Sequence, residues 1–260
     1  MDKYKNKKVI LITGGAGTLG TSLAKELKNK KYKIILGDIN INRLRTLKEN
    51  LNSEDVEIFK SDLTKKKGID DLINFALKKF KKIDAAVHCF YPRSQKYGNK
   101  FENLNEKYLK EDLGNHLGGT IIFCQRIIKL FLKQKKGNLI LISSIQGTQA
   151  PKFDHYIGSR YKGSEMVSPI EYSAIKSGII SITKYLSKYY RNKNIRVNCV
   201  SPGGIKDNQP KEFIKKYKQS CNSKGLLNGE DISKVISFLI SDESKYITGQ
   251  NLIIDDGWSL

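Results

Sequence analysis

Tyr172 and Lys176 stand four residues apart in EYSAIKSG. On a helix that spacing puts both side chains on one face. An ammonium beside a phenol favours the phenolate and lowers the tyrosine pKa, so such a pair can give or take a proton near neutral pH. Tyr189 and Lys193 share the spacing, so the first pair draws its meaning from its company. That company is Ser143-Ser144, directly after an apolar run over 139–142 that reads as a strand. A serine hydroxyl at a strand's carboxyl end can hydrogen-bond a substrate carbonyl or alcohol. Phosphate chemistry comes from KVILITGGAGTLG over 8–20, where a strand passes through Gly14, Gly15, Gly17 and Gly20 into a helix. Such a turn presents unpaired backbone N–H groups and the positive end of a helix dipole to a pyrophosphate. Asp38 falls at the end of the next apolar run, where a carboxylate can accept from both ribose hydroxyls of an adenosine and repel a 2′-phosphate. Asp62, after the third run, can meet an adenine edge.

These residues need a frame that delivers strand ends to one edge. Strands are expected over 9–12, 33–36, 56–59, 85–90, 139–142, 195–200 and 251–254, and helices over 21–30, 44–51, 69–80, a long stretch from Tyr108 to Leu132, 170–191 and 231–240. Regular alternation predicts one α/β domain over 1–260: a doubly wound Rossmann parallel sheet of about seven strands, with helices on both faces and the ligand at the carboxyl ends. The pattern lapses over 148–169, which reads as a substrate loop, and over 206–225, which reads as a mobile segment.

In 260 residues, Lys and Arg number 47 and Asp and Glu 26, a formal charge of +21. The excess is scattered over nearly every helix and turn, which argues against a nucleic-acid groove. The four cysteines are far apart, with no Cys-x-x-Cys pair and no histidine at ligand spacing, so no metal is expected and reduced packing thiols are. The basic opening is followed by an apolar run too short for a signal peptide, and nothing approaches a membrane span, so a cytoplasmic protein is expected.

TGGAGTLG, Asp38, Asp62-Leu63, SSIQG, YSAIK, IRVNCVSPGG and YITGQNLIIDDG follow in an order that resembles the short-chain dehydrogenase/reductase family over essentially the whole chain. The resemblance implies that Tyr172 is the catalytic acid/base, that Lys176 lowers its pKa and binds the nicotinamide ribose, and that one serine orients substrate. The family's serine-x-x-glycine pattern picks Ser144, because Gly147 follows it. It further implies cofactor contacts at Gly14, Gly17, Thr18, Leu19, Gly20, Leu63, Cys89, Pro202, Gly203 and Ile205, and a homo-oligomer through the long helices. NAD is expected over NADP, because no arginine immediately follows Asp38, although Arg43 is close.

The chain departs from the family at five places. Thr18 replaces the second glycine of the turn, and Asp207 replaces a frequent threonine after Pro202. His88-Cys89-Phe90-Tyr91 replaces Asn-Asn-Ala-Gly, so a sheet-stabilising contact must be made differently or be missing. The family's catalytic asparagine falls on His116, with Asn115 beside it, and either could serve the proton relay. Tyr172 also lies farther beyond Ser144 than the family spacing, and the surplus is the loop with Tyr156, Arg160, Tyr161 and Lys162. With YPRSQKYG, HLGG and SPGGIKDNQP, that loop resembles a narrower group, oxidoreductases of flagellin modification. This group implies a phosphorylated or nucleotide-linked amino sugar as substrate, with Arg93, Arg160 and Lys162 gripping an anion and Tyr156 stacking on a sugar face. The rivals are a reductase of acyl or other small carbonyls and a dinucleotide-binding regulatory protein without catalysis.

Overall fold

The computed structural model describes residues 7–161 and 164–260, apart from the side chains of residues 161 and 164. The chain runs β1 (Val9–Thr13), α1 (Thr18–Asn29), β2 (Lys33–Asp38), α2 (Ile41–Leu51), β3 (Val56–Lys60), α3 (Lys66–Phe80), β4 (Ala85–His88), α4 (Glu106–Asp112), α5 (Gly119–Gln134) and β5 (Gly137–Ile142). It continues through β6 (Arg160–Tyr161), β7 (Ser164–Glu165), α6 (Ile170–Tyr189), β8 (Ile195–Pro202), α7 (Lys211–Gln219), α8 (Gly229–Ile240) and β9 (Asn251–Ile254).

Seven strands form one parallel sheet in the order β3-β2-β1-β4-β5-β8-β9. β1 is buried at every position because both faces of the sheet are covered. Its side chains alternate between two cores. Val9 and Leu11 join one that includes Ile73 from α3, Phe123 from α5 and Ile179 from α6. Ile10 and Ile12 join the other, with Leu23 from α1, Leu44 from α2 and Ile236 from α8. The strand order reverses between β1 and β4, the place where a doubly wound sheet opens a crevice at its carboxyl edge.

Several boundaries differ from the sequence expectation, each for a local reason. α1 starts at Thr18, inside the glycine turn, because extended Gly17 caps it and its carbonyl accepts from the Thr21 N–H at 2.9 Å. β4 stops at His88, ahead of Phe90. The long helical stretch is interrupted by a π-helical turn over Leu113–Gly118, which separates α4 from α5. The 206–225 segment contains α7, and 148–169 contains a short 3-10 turn, Phe153–His155, and the β6/β7 hairpin. These two segments meet in a third core, where Phe213, Tyr217, Leu226, Ile145 and Trp258 are buried with Tyr156 and Met166 against them.

The sheet contact left open by the sequence is supplied by His88. Its Nδ1 lies 2.8 Å from the Thr13 hydroxyl, tying β4 to β1, and its ring stacks on Phe123. All four cysteines are free thiols. Among the described residues, no helix is long and apolar enough to cross a membrane, and no three His, Cys, Asp or Glu side chains are grouped to hold a metal.

Candidate active site

The carboxyl edge of the sheet opens into a cleft of about 1550 Å³. Its dinucleotide half begins at Gly14, whose φ of +67° and distance from the Cys89 carbonyl, 2.6 Å from where a Cβ would stand, admit only glycine. A Cβ on Gly20 would stand 2.4 Å from the Gly14 carbonyl. Gly17 caps α1 with no side-chain bond, which leaves the first N–H groups of the helix for an anion. Thr18 and Leu19 line the cleft there. The Asp38 carboxylate is held at the end of β2 by the Ala16 N–H at 3.1 Å and the Asn40 N–H at 2.9 Å. Asp62 accepts from both the N–H and the hydroxyl of Thr64 through one oxygen. Leu63, Cys89, Pro202, Gly203, Ile205 and Arg43 line the same cleft, as does Asp207. A glycine cradle at a helix N-terminus with a fixed carboxylate beyond it suits a dinucleotide, and these residues would hold it.

At the other half, the two serines divide. Both line the cleft, but the Ser143 hydroxyl donates to the Lys176 backbone carbonyl at 2.7 Å, whereas Ser144 accepts from the Gln146 N–H at 3.2 Å. Gly147 lets α6 approach this closely, since a Cβ there would stand 2.7 Å from the Lys176 carbonyl carbon. Tyr172 lines the cleft opposite Ser144. Burial raises its phenol above the ordinary tyrosine value, the Ser144 hydroxyl opposes that shift, and Tyr156 adds to it. Lys176 donates to the Ile142 carbonyl at 3.0 Å and stands 5.5 Å from the Tyr172 ring centre. Burial pushes its ammonium down to about 8, against the opposing effects of Cys199 and Cys89. Burial is the largest influence on the Tyr172 phenol, and the Lys176 ammonium is directed at the Ile142 carbonyl.

His116 does not line the cleft. It is 1% exposed, tilted against the Tyr91 ring at 5.2 Å and edge-on to Phe90. Burial, then the Lys176 charge and His88, push its imidazole down to about 2, so it is neutral. Asn115, one position earlier in the π turn, lines the cleft instead.

On the substrate side, Arg93, Tyr156 and Arg160 all line the cleft. Arg93 stacks over Tyr91 at 5.2 Å, and Tyr156 accepts from Gln146 at 2.9 Å. Lys162 lies outside the described residues, as does the Tyr161 side chain. Sequence reading missed Tyr91, Gln146, Phe213, Tyr217 and Trp258 as cleft residues. Tyr91 carried a signal, since it fills a glycine position of the family motif. Phe213 and Tyr217 carried one too, standing four apart in an otherwise polar segment.

Comparison with known proteins agrees with this geometry. Residues 14–259 match the family described as Enoyl-(Acyl carrier protein) reductase. The chain is 41% identical to the post-translational flagellin modification protein A of Campylobacter coli, covering 97% of this chain and 98% of that protein. It is 28% identical to a 7alpha-hydroxysteroid dehydrogenase of Bacteroides fragilis, covering 100% and 97%. Among solved structures, a short chain dehydrogenase from Leptospira borgpetersenii with bound NAD+ superimposes with a TM-score of 0.83 at 29% identity, covering 98% of this chain and 93% of that one.

Proposed function

This chain belongs to the short-chain dehydrogenase/reductase family, and from that premise we propose that it is an NAD-dependent oxidoreductase acting on a phosphorylated or nucleotide-linked amino sugar for flagellin or surface-glycan biosynthesis. The observation that carries the proposal is the convergence of Ser144, Tyr172 and Lys176 in one cleft with two guanidinium groups, Arg93 and Arg160. Bound nicotinamide would supply the hydride acceptor or donor. Ser144 would hold the reacting oxygen, and Tyr172 would move its proton. Asp38 would take the adenosine ribose, which favours NAD. Arg93 and Arg160 would hold the anion, Tyr156 would stand against the sugar, and Asn115, which lines the cleft, would serve the proton relay in place of the buried His116. Identity to the flagellin modification protein supports the sugar class. A small acyl substrate would leave both guanidinium groups without an anion. The working form would be a cytoplasmic homo-oligomer.

The test is binding of NAD(H) and NADP(H) to the wild type and Asp38→Ala, followed by NADH-monitored turnover of sugar phosphates and nucleotide sugars by the wild type and Tyr172→Phe. Turnover that Tyr172→Phe abolishes supports the reading. Failure to bind either dinucleotide sinks it.

A further inference from the structure

Tyr91 puts a ring where the family motif has glycine. It stands three residues beyond the end of β4, lines the cleft and is 40% exposed. Its hydroxyl lies 2.8 Å from that of Tyr97, which fixes the ring. One neighbour of that ring is Tyr172, edge-on with centres 5.7 Å apart, and another is the Lys176 ammonium, 5.4 Å from the ring centre. Lys176 is itself only 4% exposed. Its ammonium therefore has the Ile142 carbonyl on one side and two phenol rings at nearly equal distances.

The other titratable groups around it bring no charge at neutral pH. Cys89, after β4, and Cys199, on β8, are thiols pushed up to about 12 and about 11 by burial. His88, on β4, and His116, in the π turn, are imidazoles pushed down to about 3 and about 2. Tyr172, on α6, is a phenol raised by burial. With no anion among these groups, the state of the ammonium depends on how much water reaches it. Tyr91 and Lys176 line the same cleft, and the Tyr91 ring covers one side of the ammonium there.

We propose that Tyr91 is a positioning residue that closes Lys176 off from the water of the cleft and holds its ammonium beside the Tyr172 ring. Its use in catalysis rests on the proposed oxidoreductase reading, but the closure itself does not. Two effects of the ring oppose each other. Its π face stabilises the ammonium, and its bulk desolvates it. Since burial is the largest influence on Lys176, the bulk dominates, and removing the ring should raise the lysine pKa toward the ordinary value of 10.5.

The experiment needs neither substrate nor cofactor. Protein labelled with carbon-13 at lysine Cε is titrated by NMR from about pH 6 to about pH 11, with the Lys176 resonance assigned by its loss in Lys176→Arg. Tyr91→Gly, which restores the family residue, should raise the Lys176 midpoint by about one unit or more. Tyr91→Ala is the second truncation should the glycine variant fail to fold. Tyr91→Phe keeps the ring, loses the Tyr97 bond and should keep the wild-type midpoint. A midpoint that stays or falls in both truncations overturns the proposal, and so does a Tyr91→Phe variant that behaves like them. Absence of turnover in the wild type would count against the oxidoreductase reading and leave this result untouched.

Discussion

The Ser143 hydroxyl donates to the Lys176 carbonyl at 2.7 Å, and this buried bond fastens the carboxyl end of β5 to α6. Both serines line the cleft, and this bond marks Ser143 as the one whose hydroxyl proton is committed to the fold. Ser143→Ala removes this bond while the carbonyl keeps its partner in the α6 ladder, and should lower stability by about 0.5–1.5 kcal/mol in urea unfolding. Ser144→Ala should hold stability within about 1 kcal/mol, yet lower kcat by about 100-fold or more. Equal melting losses in the two variants would contradict the division.

Asp38→Ala should weaken NADH binding by about tenfold in a fluorescence titration, because the carboxylate fixed by the Ala16 and Asn40 N–H groups is lost. NADPH binding should hold or improve, since the repulsion of its 2′-phosphate is removed while Arg43 remains in the cleft wall. Parallel losses for both dinucleotides would show that the turn, not the carboxylate, had been damaged.

His116 is held neutral, with its pKa pushed down to about 2 from an ordinary 6.5. Between those values the unfolded chain binds a proton that the folded chain does not. The contribution to stability is therefore complete above pH 6.5 and is lost as the pH falls, at up to about 1.4 kcal/mol per unit for one imidazole. His116→Asn should remove that much of the slope when urea midpoints are compared between about pH 7 and about pH 4.5. Identical slopes would mean that His116 is not held neutral by the fold.

Phe213, on α7, is 5% exposed and meets His155 and Tyr156 from the other segment edge-on. Phe213→Ala should cost about 3–5 kcal/mol in that local core. Hydrogen exchange should then quicken over both 148–169 and 206–225, while β1 and β4 remain protected. Faster exchange confined to 206–225 would show that the two segments do not share one core.

The seven sheet strands, and α3, α6 and α8, were legible in the sequence because their patterns are local. Parallel strands covered on both faces read as apolar runs, as Val9 to Ile12 do, and long helices show a 3.6-residue stripe. α7 was not legible. Its nine residues are mostly charged, and the groups that bury Phe213 and Tyr217 come from His155, Tyr156 and Trp258, distant in sequence.

The sequence by itself determined the order of the motifs, the glycine turn that no larger residue could make, and the residues that reach the carboxyl edge, including Ser144, Tyr172 and Lys176. Tertiary structure decided what those residues feel. The π turn over Leu113–Gly118 brings Asn115 to the cleft and leaves His116 buried against Tyr91. The ring of Tyr91 and the thiols of Cys89 and Cys199 then set the surroundings of Lys176. Spacing along a chain fixes which face of a helix a side chain occupies. Desolvation depends on everything packed against that face, and those neighbours come from β4, β8 and the π turn, which meet only when the chain is folded.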